Sequence, residues 1–293
     1  MVVAASLIAL SCAALSCAPP ESGAPELPHT EAPPPGWALT WSDDFEGAAG
    51  SRADSSHWSH DVGDGCAAGI CGWGNEEKEY YTTELPNASL TGGGALAIVA
   101  RPAPPGLACY YGPCRYTSAK LRTRDRVQVK HGRVEARLRL PRGQGLWPAF
   151  WMLGSSFGAT PWPACGELDI MENHGSRPAS ISSAIHGPGY SGSTTPFVHD
   201  RPLPSGDYAD DLHTFGVQWD SARVEFMVDG AVHYVVSKGE VERHGAWVFD
   251  QPFYVILNLA VGGSFDGDPK SDAILPATML VDWVRVYERT GAR

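Results

Sequence analysis

The chain holds 293 residues, 43% of them hydrophobic, enough to bury one sizeable core, and carries a formal net charge of -11. So acidic a chain is poorly suited to nucleic acid or to an anionic membrane surface, both of which demand clustered Lys and Arg, and a neutral ligand fits it better. Ten Trp and ten Tyr suit stacking against the flat faces of such a ligand, although most residues of this kind serve a core.

Residues 1–17 read as a secretory leader. No charged side chain occurs in the first 20 residues, and Val2 to Leu15 is apolar, Ala-rich and too short for a membrane span, although the usual basic start is missing. Ala14-Leu15-Ser16-Cys17 is a loose match to a bacterial lipobox, so acylation of Cys17 and plain secretion are the two alternatives. Either places the protein outside the cell or in a bacterial envelope, and membrane attachment is expected only through that anchor. Residues 18–36, rich in Pro, Glu and Ala, form an extended linker. One folded domain, expected as a monomer, then runs over 37–289.

Of the seven cysteines, Cys66 and Cys71 lie in a Gly-rich loop, and Cys109 and Cys114 bracket Tyr110-Tyr111-Gly112-Pro113. Each pair is close enough to form a small staple in an oxidising compartment. Cys165 is left over, either as packing or as a free thiol beside the site. The spacing lacks the paired Cys-x-x-Cys of a zinc centre.

The folded part is a succession of short strands. Trp37 to Phe45 reads as a strand and turn, and Ala95 to Ala100 as a buried strand after the Gly92-Gly93-Gly94 turn. Arg133 to Leu140 alternates, with Val134, Ala136, Leu138 and Leu140 facing a core and Arg133, Glu135, Arg137 and Arg139 facing water. Trp147 to Leu153, Glu167 to Glu172 and Ser182 to His186 follow as strands. Val224 to Val228 and Val232 to Val236 flank Asp229-Gly230, a type I′ hairpin signal. Phe253 to Val261 and Met279 to Tyr287 complete the set, and one helical turn is expected over Tyr208 to His213. Many short strands broken by Gly and Pro mean an all-β sandwich.

One strand is anomalous. Glu167-Leu168-Asp169-Ile170-Met171-Glu172 places three carboxylates in six residues of an apolar run, where acids are unfavourable. Glu167 and Asp169 share a face by alternation, but strict alternation would bury Glu172. A β-bulge at Ile170-Met171 returns it to the acidic face. Three crowded carboxyls cannot all ionise easily, so one is expected to hold its proton while another stays anionic. Such a pair suits double displacement at a glycosidic bond. Trp147, Trp151 and Trp162 crowd the same segment.

In its bulged Glu-x-Asp-x-x-Glu form, this motif resembles the catalytic signature of glycoside hydrolase family 16. The companions Gly145-Leu146-Trp147-Pro148-Ala149-Phe150-Trp151, Trp162-Pro163-Ala164-Cys165-Gly166 and His186-Gly187-Pro188-Gly189-Tyr190 are similar to the bacterial laminarinase branch, endo-1,3-β-glucanases, and the likeness runs from Trp37 to Glu288. The resemblance implies a concanavalin A-like jelly roll, one sheet lining an open concave cleft, and retaining hydrolysis of a neutral β-glucan without a catalytic cofactor. It implies catalytic roles for Glu167, Asp169 and Glu172, with Trp147, Trp151, Trp162 and His186 as sugar contacts and Trp73 and Asn75 lining further subsites. It also implies a structural calcium near Asp282, Asp44 and the Gly94 carbonyl, the alternative for Asp282 being a hydrogen-bonded acid at a sheet edge. The rival readings are a glucan-binding jelly roll without activity, and cleavage or transglycosylation of another polysaccharide.

Overall fold

The structure, a computed structural model, describes Met1 and residues 32–291. The leader and Cys17 lie outside the described residues, as does most of the linker. Nineteen strands form among the described residues: β1 Trp37–Asp43, β2 Ser59–Asp61, β3 Glu79–Tyr81, β4 Ala88–Leu90, β5 Leu96–Pro102, β6 Ala108–Cys109, β7 Gly112–Pro113, β8 Tyr116–Ser118, β9 Lys120–Arg122, β10 Gly132–Arg139, β11 Leu146–Gly154, β12 Glu167–Asn173, β13 Ser180–His186, β14 Val198–Pro202, β15 His213–Trp219, β16 Arg223–Val228, β17 Ala231–Ser237, β18 Phe253–Val261 and β19 Ala277–Arg289. A single α-helical turn occurs among them, α1 Lys238–Val241, started by a capping box between Ser237 and Glu240. Tyr208 to His213 forms a turn, without the expected helix. Asp207 and Asp210 hold it through side-chain bonds to backbone N–H groups, which compete with helical pairing.

Seven strands in the order β14-β13-β12-β11-β18-β9-β2 make one sheet. Ten make the other, β17-β16-β15-β10-β19-β5-β8-β3 with β1 and β4 at its flanks. Alternate residues of both sheets meet between them: Leu168, Val255, Leu257 and Leu259 from one, Val134, Ala136 and Leu138 from the other, all fully buried. This is a jelly-roll β-sandwich. The β16–β17 hairpin turns at Asp229 and Gly230 with φ of 50° and 74°, the left-handed pair that its Asp-Gly signal requires.

The outer face of β10 is wet at one end only: Arg139 is exposed and Arg137 half-buried, as expected, but Arg133 and Glu135 are covered. Arg133 and Glu135 are 8% and 4% exposed, joined by a 2.6 Å ion pair. Their partners across the ladder on β19 are Tyr287 and Arg285, themselves buried, so long side chains roof the charges. Disulfides link Cys66 to Cys71 and Cys109 to Cys114, as their spacing predicts, and Cys165 is a buried free cysteine.

Candidate active site

The outer face of the seven-stranded sheet is set by β11, β12, β13 and β18. On β12, Asp169 pairs with Ala184 of β13 and Glu172 with Ser182, so Ile170 and Met171 together oppose one residue, Ser183. On the other side Met171 pairs with Phe150 and Asp169 with Trp151, leaving Ile170 as the inserted residue. The expected bulge is therefore present, and Ile170 and Met171 both enter the core. Glu172 consequently faces outward with Glu167 and Asp169.

Gly166 at φ +77° starts the strand, in a conformation disfavoured for residues bearing a Cβ. Just before it, Cys165 packs with Leu153, Tyr254 and Ile256 in a small cluster apart from the main core, flanked by Trp151 and Phe157. Burial, with the neighbouring Glu167 charge, holds this thiol up to about 11, which keeps it an inert packing group.

The three acids sit in a half-buried, hydrogen-bonded nest. His186 Nε2 lies 3.1 Å from Asp169 Oδ2 and 3.8 Å from Glu167 Oε1. The Trp147 indole N–H donates to Glu172 at 3.0 Å, and its ring stacks on Phe265, 4.4 Å between centroids. Trp162 is exposed at the rim, its ring 6.2 Å from His186. Trp151 donates to Asn258 at 2.7 Å. Lys120 Nζ lies over both the Trp73 and Trp151 rings, at 4.5 and 4.9 Å. The expected sugar contacts thus share one face, with Trp73 reached through Lys120.

Asn75 donates to Glu77 at 3.1 Å, Tyr81 donates to the same carboxylate at 3.2 Å, and Asn258 donates to the Tyr81 hydroxyl at 3.1 Å. A polar chain therefore runs from Trp151 through Asn258 and Tyr81 to Glu77 and Asn75. Glu79, fully buried, accepts the Val261 N–H at 2.7 Å. Burial and the charge of Glu77 push its carboxyl well above the usual range. Lys120, Asn258, Glu77 and Glu79 were not singled out from the sequence. Asn258 could have been, as an amide inside the apolar run Phe253 to Val261.

Burial lifts Glu167, Asp169 and Glu172 each to about 8. The Asp169 charge adds to the rise at Glu167 and Glu172, and His186 opposes it at both. The two glutamates then differ. Lys120 favours the anion at Glu167, whereas at Glu172 the Trp147 N–H favours it and the Glu77 charge works against it. Glu167, Asp169 and His186 also place one ligand atom each within 4.8 Å of one another.

Of the expected cation donors, Asp44 is turned elsewhere: its Oδ1 lies 3.1 Å from Arg285. It leaves the strand beyond Asp43 and meets the guanidinium that β19 presents there. Asp282 is fully buried where β19 slips register against β10, with Arg137 3.2 Å from its carboxylate. Val281 pairs with Leu96, which brings Asp282 alongside the turn ending at Gly94.

Known proteins share this fold and much of the sequence. The laminarinase catalytic domain from Thermotoga maritima MSB8 superposes with a TM-score of 0.81 at 42% identity, over 87% of this chain and 99% of that one. The endo-β-1,3-glucanase from Pyrococcus furiosus does so with a TM-score of 0.80 at 45% identity, over 87% and 95%. In sequence, a beta-glucanase of Rhodothermus marinus is 36% identical across 86% of both chains. Glucan endo-1,3-beta-glucosidase A1 of Niallia circulans is 37% identical over 86% of this chain, which spans 38% of its length. Residues 77–285 match the glycosyl hydrolases of family 16, and the chain belongs to that family.

Proposed function

We propose that the protein hydrolyses internal 1,3-β-glucosidic bonds of a neutral, laminarin-like β-glucan with retention of configuration. The observation that carries this reading is the bulge in β12, which sets two glutamates on one open face with an aspartate between them. Glu167 attacks the anomeric carbon, and the bond to the leaving oxygen breaks as Glu172 protonates it. Glu172 then takes a proton from the water that releases the glycosyl-enzyme. Both glutamates are held at about 8, with Lys120 favouring the anion at Glu167 and the Trp147 N–H favouring it at Glu172, so the order of roles follows the resemblance of the motif to the family 16 signature. Asp169, bridged to His186, orients Glu167 and shares its field. Trp147, Trp151 and Trp162 offer sugar-stacking surface, and Asn75 and Trp73 extend it at the far edge.

Incubation with laminarin, mixed-linkage glucan and agarose side by side tests the reading. Oligosaccharides should appear first from laminarin, as the β-anomer in early NMR spectra. An α-anomer at first turnover, or no reducing ends from any of the three, would overturn it, and the latter result favours a binding protein.

Family 16 glycosidases generally need no catalytic cofactor. A structural calcium fits Asp282 and the Gly94 carbonyl, which the β19–β5 register brings together, and does not fit Asp44. It would supply stability and take no part in the reaction. Chelation should then lower the melting temperature, and an unchanged transition would leave Arg137 as sufficient counter-charge for Asp282. Export is also part of this reading, because both short disulfides suit an oxidising compartment.

A further inference from the structure

The bulge that makes the site has a cost of its own. Where two residues oppose one, the regular exchange of ladder hydrogen bonds fails, and a buried carbonyl left without a partner is destabilising. Between Asp169 and Glu172 the residue that faces the gap is Ser183, which is fully buried and turned into the sandwich interior. Its hydroxyl donates to the carbonyl of Ile170, the inserted residue, at 2.8 Å.

A second bulge answers the first from the opposite sheet. On β17, Tyr234 pairs with Phe226 and Val232 with Met227, leaving His233 as the extra residue. That slip lets His233 turn inward although its neighbour Tyr234 also packs on the core. Its Nε2 lies 3.3 Å from the Ser183 hydroxyl oxygen. Since that hydroxyl gives its only proton to Ile170, the contact is an N–H of His233 donating to Ser183. The His199 ring lies 5.7 Å from His233 and stacks on Tyr234, closing the far side. Burial, with the nearby His199 and Arg201, pulls His233 down to about 4, so the imidazole is neutral in ordinary buffers.

We infer that Ser183 and His233 are positioning residues of the catalytic strand: the Ser183 hydroxyl, held by His233 from the opposite sheet, clamps the Ile170 carbonyl and so fixes the offset that keeps Glu172 on the same face as Glu167. Neither residue touches substrate. They act through the geometry of β12, where a displacement of about 1 Å at a catalytic group can lower a rate on the order of a hundredfold.

The inference rests on the glucanase reading, and the experiment separates the two. Wild type, Ser183→Ala, His233→Leu and the double variant are assayed on laminarin, with kcat and KM resolved. An inactive wild type would break the functional reading. With an active wild type, Ser183→Ala should lose kcat by about ten- to a hundredfold with KM within about twofold, since the sugar contacts of the outer face are untouched. His233→Leu should lose less, and the double variant should be no worse than Ser183→Ala, because both changes break one chain. Restoration of kcat by Ser183→Thr, which keeps the hydroxyl, supports the clamp. An undiminished kcat in Ser183→Ala, or losses that add in the double variant, overturns it. Should Ser183→Ala not fold, His233→Leu decides alone: a kcat equal to wild type refutes the clamp.

Discussion

Two groups of acids, one on β10 and β19 of the ten-stranded sheet and one on β12 of the seven-stranded sheet, are held in opposite ways. On the ten-stranded sheet Glu135 lies 2.6 Å from Arg133, and Asp282 lies 3.2 Å from Arg137. These are guanidinium pairs, in which burial is offset by a full opposite charge. On β12, Glu167 and Asp169 have His186 as their ion-pair partner, and Glu172 accepts the Trp147 N–H. Burial drives their carboxyls up to about 8. The difference teaches where the fold spends stability. The β10–β19 group neutralises its charges, while the β12 group leaves protons movable where a bond must be broken.

The comparison breaks first on activity. Glu167→Gln and Glu172→Gln should each lower kcat on laminarin by about 10³-fold or more, because a nucleophile or a proton donor is lost outright. Glu135→Gln, which changes a buried acid on the other sheet, should leave kcat within about twofold. A comparable loss at Glu135 would show that the sheets are not divided in this way. The next largest effect falls on stability. Glu135→Ala strands the Arg133 guanidinium, 8% exposed, and should cost about 3 to 5 kcal/mol in urea unfolding. A cost below about 1 kcal/mol would mean that water reaches the pair and that it behaves as a surface bridge.

Much of this division was legible in the sequence, and the unreadable part has a common cause. Three acids in one strand can share a face only through an inserted residue, so the bulge at Ile170-Met171 follows from local alternation. The Asp229-Gly230 turn and both disulfides are local too, fixed by a few consecutive residues. Arg133 to Leu140 misled because alternation tells which residues share a face but not what covers that face. The cover comes from Arg285 and Tyr287, far along the chain, and the same Arg285 takes Asp44 away from the expected cation site. Lys120 and Asn258 escaped for a related reason: each is an ordinary strand residue until the β18–β9 pairing sets them opposite one another beside Trp151.

The smallest expected effect tests the charge balance directly, without turnover. Glu172 is held at about 8 in the folded chain, against an ordinary value of 4.5. Between those two values the folded protein keeps a proton that the unfolded chain has released, so this group's contribution to stability falls as the pH rises and is lowest above about 8. Replacing the carboxyl with an amide removes the titration while nearly preserving shape. Glu172→Gln should therefore be more stable than wild type at pH 8.5, by on the order of 2 kcal/mol, and close to it at pH 4, where both side chains are neutral. Glu135→Gln should instead lose stability, because its partner Arg133 keeps a charge with nothing opposite. Denaturant titrations of the two variants across that pH range give curves of opposite sign if one sheet is compensated and the other is not. Parallel curves would mean that the cleft acids are hydrated and ionised like any surface carboxylate, which removes the proton reserve that a general acid at Glu172 requires.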